Sequence, residues 1–580
     1  MSRAGDPIPP TREVASLVEA DLERGDEARA FNRVISYVER VFEDPGTIGA
    51  AFGSPVLDDL CLRLGRRLGR SAPERFDPSL VAYVATRLVF PGGHTFVIRD
   101  LVEAQPGRRH LVLLTGVGGG TDLEEAQRFL GSAVAVEAAP DATAREAAAW
   151  VAGRLAGAAP GRAFLLAHPH DAAAVAGFQP GSAGEMLFYH HVDHRFTLGV
   201  HLAHARHLDF RYAGFANCRH DLGLAENLFL PLTAGEPSDP VAPPYPLTTA
   251  SAGRWGKFAP GGEDSFAAQV PRWLAATGGR HLHFGGLPPA VVASIEKQLT
   301  VAGMPVDRFV NLPEVASLRA ALVEEGVGLY LDSFPLGGCR STVEAMAAGI
   351  PVAVYRHPSS KLLSNETLAY PGAFVWQEPE DLVAHLAALE PGRIEAESAA
   401  AIEHYAAHHH PRLLAAALAG ESVAGRPVVE RAHPIASLEG YLERAAAAPG
   451  DEALLGRLLL QALRIPDPGT RQARKQISRV LYALSRLPSG EGGGADRADL
   501  SGFLLRHWRS AAEARPAPET AGAAGRREAG RQAECDLRRL LRRLGWGPVG
   551  WLLRRFKGFR ALEERYLKGT ERGEPSGPGV

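Results

Sequence analysis

Between about residue 80 and residue 355 the chain alternates short apolar runs with longer amphipathic segments. This alternation constrains its fold more than any other feature. Before a Pro-rich break the runs are VAYVATRLVF, HLVLLTG, AFLLAH and MLFYHH; after it they are RHLHFGG, RFVNL, VGLYL and PVAVY. Between them lie segments with helical spacing, such as ATAREAAAWVAGRLAG, PAVVASIEKQLTVAG and VASLRAALVEEG. Strand–helix alternation predicts parallel β-structure with covering helices. The break GEPSDPVAPPYP, residues 235–246, divides the alternation into two sets and reads as a hinge. The expected fold is α/β, with two Rossmann-like units facing across a cleft. Ligands of such sheets bind at the carboxyl ends of the strands.

The flanks differ in kind. EVASLVEADLERG and ARAFNRVISYVERVFED predict a helical region over 1–78, ahead of a first Rossmann-like domain at 79–234 and a second at 247–430. Helices are expected again at 431–486. Flexible linkers with a short helix follow at 487–535, and a basic amphipathic helix at 536–570. Residues 536–568 carry ten Lys or Arg against three acids, with Trp546, Trp551, Phe556 and Phe559 interleaved. That composition suits a membrane interface, an acidic partner or packing against the protein itself.

At 580 residues the chain is too long for one core. A formal net charge of −3 carries no global nucleic-acid signature. Cys61, Cys218, Cys339 and Cys535 are far apart and form no CxxC pair, which argues against a zinc site or a disulfide framework and fits a reducing cytoplasm. No signal-peptide pattern opens the sequence, and no apolar stretch is long enough to span a bilayer. A cytoplasmic protein is expected, with the basic tail as its candidate contact with the inner face of a membrane.

The run DSFPLGGCRSTVEAMAAGIPVAVY, from Asp332 to Tyr355, holds the densest chemistry. Gly337 and Gly338 permit close backbone approach to a ligand. Ser341 and Thr342 stand at a helix start, where hydroxyls and N–H groups suit phosphate oxygens, and Arg340 adds a cation. Glu344, one turn inside, is placed to hold ribose hydroxyls. An ordinary capped βα unit accounts for the same spacing.

The string D-x-F-P-x-G-G followed by S-T-x-E-A-x-x-x-G-x-P-V resembles the donor site of GT-B glycosyltransferases, in particular the O-GlcNAc transferase and bacterial protein N-glucosyltransferase group. The resemblance covers roughly residues 80–430. It implies that the loop and helix start hold a nucleotide diphosphate and that Glu344 holds the ribose. The family's helix start is Thr-rich, where this chain has Cys339-Arg340-Ser341-Thr342. The segment LTTASAGRWGKFAP is similar to the family segment whose lysine reaches the diphosphate, and Lys257 matches it. Asn311, after Phe309 and Val310, falls where related enzymes seat the base.

In the first unit, PGGHT places His94 in a Gly-rich loop at a strand end, as a candidate to position the acceptor or take its proton. The stretch from Met186 holds His190, His191, His194, His201, His204 and His207. Its H-x-D-H-x-F-x-L-G core is similar to strings in sugar transferases of this group. Asp193 is a candidate general base, or the orienter of His191 or His194. A metal at His190 and His194 and plain structural packing are the alternatives. His408, His409 and His410 read as surface residues.

The resemblance implies transfer of a sugar from a nucleotide-sugar, a UDP-sugar by preference. It implies inversion at the anomeric carbon with no metal and no other cofactor. The acceptor class stays open among protein, lipid-linked glycan and small molecule. A retaining transferase, a nucleotide-sugar epimerase and a non-catalytic nucleotide- or glycan-binding scaffold are the competing readings.

Overall fold

The computed structural model describes residues 8–447, apart from 45–46, 70, 91, 141–142, 240–244, 259–264, 335, 357–360 and 422–434. The expected linkers at 487–535, the basic helix at 536–570 and most of the 431–486 region lie outside the described residues. Contacts gather Ile8–Phe258 and Ala267–Leu442 into one unit.

Three helices open the chain: α1 (Thr11–Glu23), α2 (Glu27–Glu43) and α3 (Pro55–Arg66). The start of α2 is capped by the Asp26 carboxylate accepting from the Arg29 amide. Ser54 caps α3 in the same way, ahead of a proline at the first helical position. The first α/β domain then runs β1 (Asp77–Ala85), α4 (Gly93–Glu103), β2 (Arg109–Leu114), α5 (Leu123–Leu130), β3 (Val134–Ala138), α6 (Ala144–Ala158), β4 (Pro160–Leu166), α7 (Ala172–Gly177), β5 (Glu185–Tyr189), β6 (Arg206–Asp209), α8 (Tyr212–Asp221) and β7 (Leu228–Phe229). The second runs β8 (Thr249–Ala252), α9 (Phe266–Thr277), β9 (His281–Phe284), α10 (Pro289–Val301), β10 (Phe309–Leu312), α11 (Leu318–Glu324), β11 (Leu329–Leu331), α12 (Cys339–Ala347), β12 (Val352–Tyr355), β13 (Phe374–Trp376) and α13 (Pro379–Ala387). The chain closes with α14 (Pro391–His408), α15 (Pro411–Leu418) and α16 (Leu438–Ala447).

The sheets are ordered β3-β2-β1-β4-β5-β6-β7 and β10-β9-β8-β11-β12-β13, and every paired strand is parallel. Both are doubly wound, so each has a switch point, between β1 and β4 in the first and between β8 and β11 in the second. Most strand residues are buried because both faces of each sheet are covered. On β1, Leu80, Ala82 and Val84 join the core built by α1, α2, α3, α6 and α7. Val81, Tyr83 and Ala85 join the opposite core with Val97, Ile98 and Leu101 of α4, and that cluster continues to Ala250, Tyr330 and Val352 of the second domain.

Two return crossings tie the C-terminal helices to the first domain. Tyr405 of α14 accepts from the Ala234 amide at 2.9 Å and donates to the Gly235 carbonyl at 2.5 Å. His409, expected at the surface, is fully buried, with Nδ1 2.9 Å from the Leu232 carbonyl. The Phe52 amide donates to the Ala436 carbonyl at 3.1 Å, and Ser54 donates to Glu439. No helix among the described residues is long and apolar enough to cross a membrane.

Candidate functional site

The carboxyl edge of the second sheet is organised by one buried carboxylate. Asp332 follows β11 and accepts from the Gly338 amide at 3.0 Å and the Thr342 hydroxyl at 3.2 Å through Oδ1, and from Asn365 Nδ2 at 2.8 Å through Oδ2. Burial pushes its pKa up to about 6 against the opposing pull of the Gly338 amide and Lys257. These bonds hold Gly337 and Gly338 in a tight bend. A Cβ on Gly337 would meet the Asn365 side chain at 2.8 Å, and one on Gly338 would meet Ser341 Oγ at 2.3 Å. The bend delivers the first turn of α12, where the amides of Cys339 and Arg340 have no intrahelical acceptor and the helix dipole is positive.

Lys257 approaches the same place from the other strand of the switch point. After β8, Gly253 adopts φ +139°, a backbone that side chains disfavour. Trp255–Lys257 then form one 3-10 turn. The Leu336 amide reaches the Lys257 carbonyl at 3.4 Å, which ties this turn to the bend after Asp332. Among the described residues the Lys257 ammonium has no ion-pair partner. It is one of the charges near His194, Asp332 and Cys339.

Several expected donor-site roles meet a different geometry. The Thr342 hydroxyl is buried between Asp332 and Asn365, and the Ser341 hydroxyl donates to the Gly338 carbonyl at 2.7 Å, so both serve the bend itself. Arg340 crosses the cleft: its Nη1 pairs with Asp100 of α4, its Nε with Glu344 Oε1 at 2.9 Å, and its guanidinium lies 4.6 Å over the Phe96 ring. Glu344 spends its other oxygen on the Arg319 amide at 3.1 Å. Arg340 therefore bridges the Asp100 and Glu344 carboxylates inside the interdomain contact. Asn311 lies within β10 rather than after it, and its amide donates to the carbonyls of His283, Gly285 and Leu312, which closes the end of β9.

The first sheet presents imidazoles. α4 begins at Gly93, so His94 sits in the first helical turn rather than in a loop. It is hydrogen-bonded to the Leu166 backbone, while Nε2 is buried and without a partner among the described residues. Burial lowers its pKa to about 4. Its ring stacks on His191 with centroids 4.6 Å apart, and His168 lies 6.1 Å away. His191 is held well below its ordinary value by burial and then by His94 and His168, and burial lowers His168 to about 3. His194 is likewise held well below by burial, then by Arg195, Arg211 and Lys257.

His168 and His170 were not singled out by the sequence. The available signal was their position just past β4, at the switch point of the first sheet. Asp171 orders that corner much as Asp332 orders the other, accepting from the hydroxyls of Thr86 at 2.7 Å and Thr115 at 2.6 Å and from the Ala174 amide at 2.8 Å.

Asp193, the expected general base, is committed elsewhere. Its two oxygens receive Arg211 Nε at 2.6 Å and Nη2 at 2.5 Å, and both side chains are buried. Arg211 also points Nη1 at the Ser364 carbonyl of the second domain, 3.5 Å away. A bidentate buried pair of this kind fixes geometry and engages both carboxylate oxygens. The broad groove lined by Leu80, Arg109, His110, Val134 and Gly157 lies at the amino-terminal edge of the first sheet, remote from both corners.

The two carboxyl edges therefore face each other, joined by Arg340 to Asp100 and by Arg211 to Ser364. The fold is of the GT-B class. Solved structures with a similar arrangement include Thermobaculum terrenum O-GlcNAc transferase (13% identity, 71% of this chain and 83% of that chain, TM-score 0.40). A glycosyltransferase from Rickettsia africae is 9% identical over 60% of this chain and 98% of that chain, with a TM-score of 0.45. Anabaena HepE, in complex with UDP and glucose, is 14% identical over 59% and 98%, with a TM-score of 0.43. No protein-family model and no curated protein matches the chain. The likeness is one of overall fold, and the roles assigned below rest on this chain's own residues.

Proposed function

We propose that the protein is a glycosyltransferase that moves a sugar from a nucleotide-sugar, a UDP-sugar by preference, to an acceptor held against the first domain. The observation that carries this reading is the convergence at one switch point of the Lys257 ammonium, without an ion-pair partner among the described residues, with the first-turn amides of α12. An ammonium and oriented N–H groups stabilise a departing diphosphate without a metal, because their charge is in place before the bond breaks. The resemblance of the Asp332–Tyr355 run to donor sites points the same way.

In this mechanism the acceptor oxygen or nitrogen attacks the anomeric carbon as the bond to the diphosphate breaks, with inversion. The acceptor's proton passes to His94 Nε2, whose lone pair is free because the other ring nitrogen is engaged with Leu166. Burial keeps that imidazole neutral, and an incoming diphosphate raises its affinity for the proton. His191 fixes the His94 ring plane by stacking. Asp193 and Arg340 act on the scaffold: one anchors Arg211, the other holds α4 against α12.

The test is incubation with UDP-glucose, UDP-GlcNAc and their GDP and dTDP counterparts, with release of nucleoside diphosphate as readout. Release by wild type and its loss in Lys257→Ala supports transfer chemistry. Nucleotide binding with no release from any donor, with or without candidate acceptors, would instead favour the binding scaffold. The engagement of Glu344 and Thr342 within the protein suits that second reading.

A further inference from the structure

Away from the cleft, four side chains of metal-ligating type converge in the first domain. His207 and Asp209 are two residues apart on β6 and so share one face of the strand. His190 follows the end of β5, and Cys218 descends from α8 above them. His190 Nδ1 lies 3.5 Å from Cys218 Sγ and 3.5 Å from Asp209 Oδ1, and His207 Nε2 lies 3.2 Å from the same oxygen. All four ligand atoms fall within 4.8 Å of one another, and all four residues are buried.

We propose that His190 Nδ1, His207 Nε2, Asp209 and Cys218 Sγ form a structural site for one divalent cation, zinc by preference. Zinc takes imidazole nitrogen at about 2.0–2.1 Å and thiolate at about 2.3 Å, so the edges of a tetrahedral site measure about 3.3–3.8 Å. The three separations given above already lie at or near that length. Asp209 is held from outside: its Oδ2 accepts from Asn227 Nδ2 at 2.8 Å, and Asn227 also donates to the Phe215 carbonyl. An outer partner of this type orients a ligating carboxylate.

Charge supports the assignment. A divalent cation bound by one carboxylate, one thiolate and two neutral imidazoles brings the cluster to zero. Binding releases the Cys218 thiol proton to solvent. The imidazole protons then reside on His190 Nε2 and His207 Nδ1, which have no partner among the described residues. Such a site pins β5, β6 and α8 together just where the chain continues to His191, Asp193, His194 and Arg211. It acts as a positioning element for one wall of the cleft and is independent of which donor the cleft takes.

The sequence weighed His190 with His194, and the spacing of the cysteines argued against zinc. Neither pattern exposes a site whose members come from two strand ends and a helix. The test is elemental analysis of the full chain purified from zinc-supplemented medium, followed by cobalt(II) exchange. About one zinc per chain and a thiolate-to-cobalt charge-transfer band are expected. Cys218→Ser abolishes the band, and Asn227→Ala weakens cobalt binding about 10–100-fold. Wild type with no stoichiometric metal and no cobalt band overturns the proposal without recourse to a variant. A band that survives Cys218→Ser overturns it equally, since the metal then sits elsewhere.

Discussion

The two carboxyl edges that meet across the cleft use the same scaffold for opposite electrostatics. In each, a buried aspartate at the switch point ties down the loops, Asp171 in the first sheet and Asp332 in the second. Beyond that point they diverge. The first edge carries imidazoles kept neutral by burial, namely His94, His168, His191 and His194. The second offers a lysine and the amides of a helix start. A side that can take a proton thus faces a side that can hold negative charge, which is the division that displacement of a diphosphate requires. The arginines belong to neither function: Arg211 and Arg340 are spent on carboxylates that fix the domains.

The largest effect is expected where the two edges are tied. Arg340→Gln leaves the buried Asp100 and Glu344 carboxylates without their shared cation, and should cost about 3–5 kcal/mol of stability, read as a large fall in Tm. A variant as stable as wild type would mean that the crossing is not a structural tie. Next, Lys257→Ala should lower turnover about 10²–10³-fold with little change in Tm, as removal of one preformed electrostatic stabiliser does. Equal loss of Tm and activity would place Lys257 among the scaffold residues. His94→Gln should lower turnover about 10²-fold while leaving donor affinity near wild type, if the first edge handles protons and the second the diphosphate. A change confined to donor affinity would reverse that division.

The smallest effect concerns pH. Imidazoles held below their ordinary value take up protons on unfolding, so the unfolded chain binds more protons between about pH 6.5 and 3–4. Stability should therefore rise with pH through that window and fall as acid approaches the folded-state values of about 4 for His94 and about 3 for His168. His168→Gln should flatten the slope by up to one proton, measured by urea unfolding at a series of pH values. An unchanged slope would show that His168 titrates normally in the folded chain.

The parallel sheets were legible because strands covered on both faces tend to read as near-continuous apolar runs, as VGLYL and PVAVY do. The elements passed over include β3 (Val134–Ala138) and β6 (Arg206–Asp209), whose charged residues break an apolar run, and the short β7 (Leu228–Phe229) and β13 (Phe374–Trp376). The helix start at α12 is legible because local chain geometry creates it, and Lys257 stands out only through the resemblance. The engagement of Arg340 is not legible, since its partner Asp100 lies 240 residues away. The pairing of Asp193 with Arg211 is not visible either, since the next strand brings Arg211 in.

The most direct test of the central claim is calorimetric titration of the full chain with UDP and UDP-glucose, without added divalent cation, in wild type and Lys257→Ala. Saturable one-to-one binding is expected, weakened at least about tenfold by the substitution, the equivalent of about 1.4 kcal/mol. Failure of UDP, GDP and dTDP species alike to bind the wild-type protein would contradict the account. So would binding that is indifferent to Lys257.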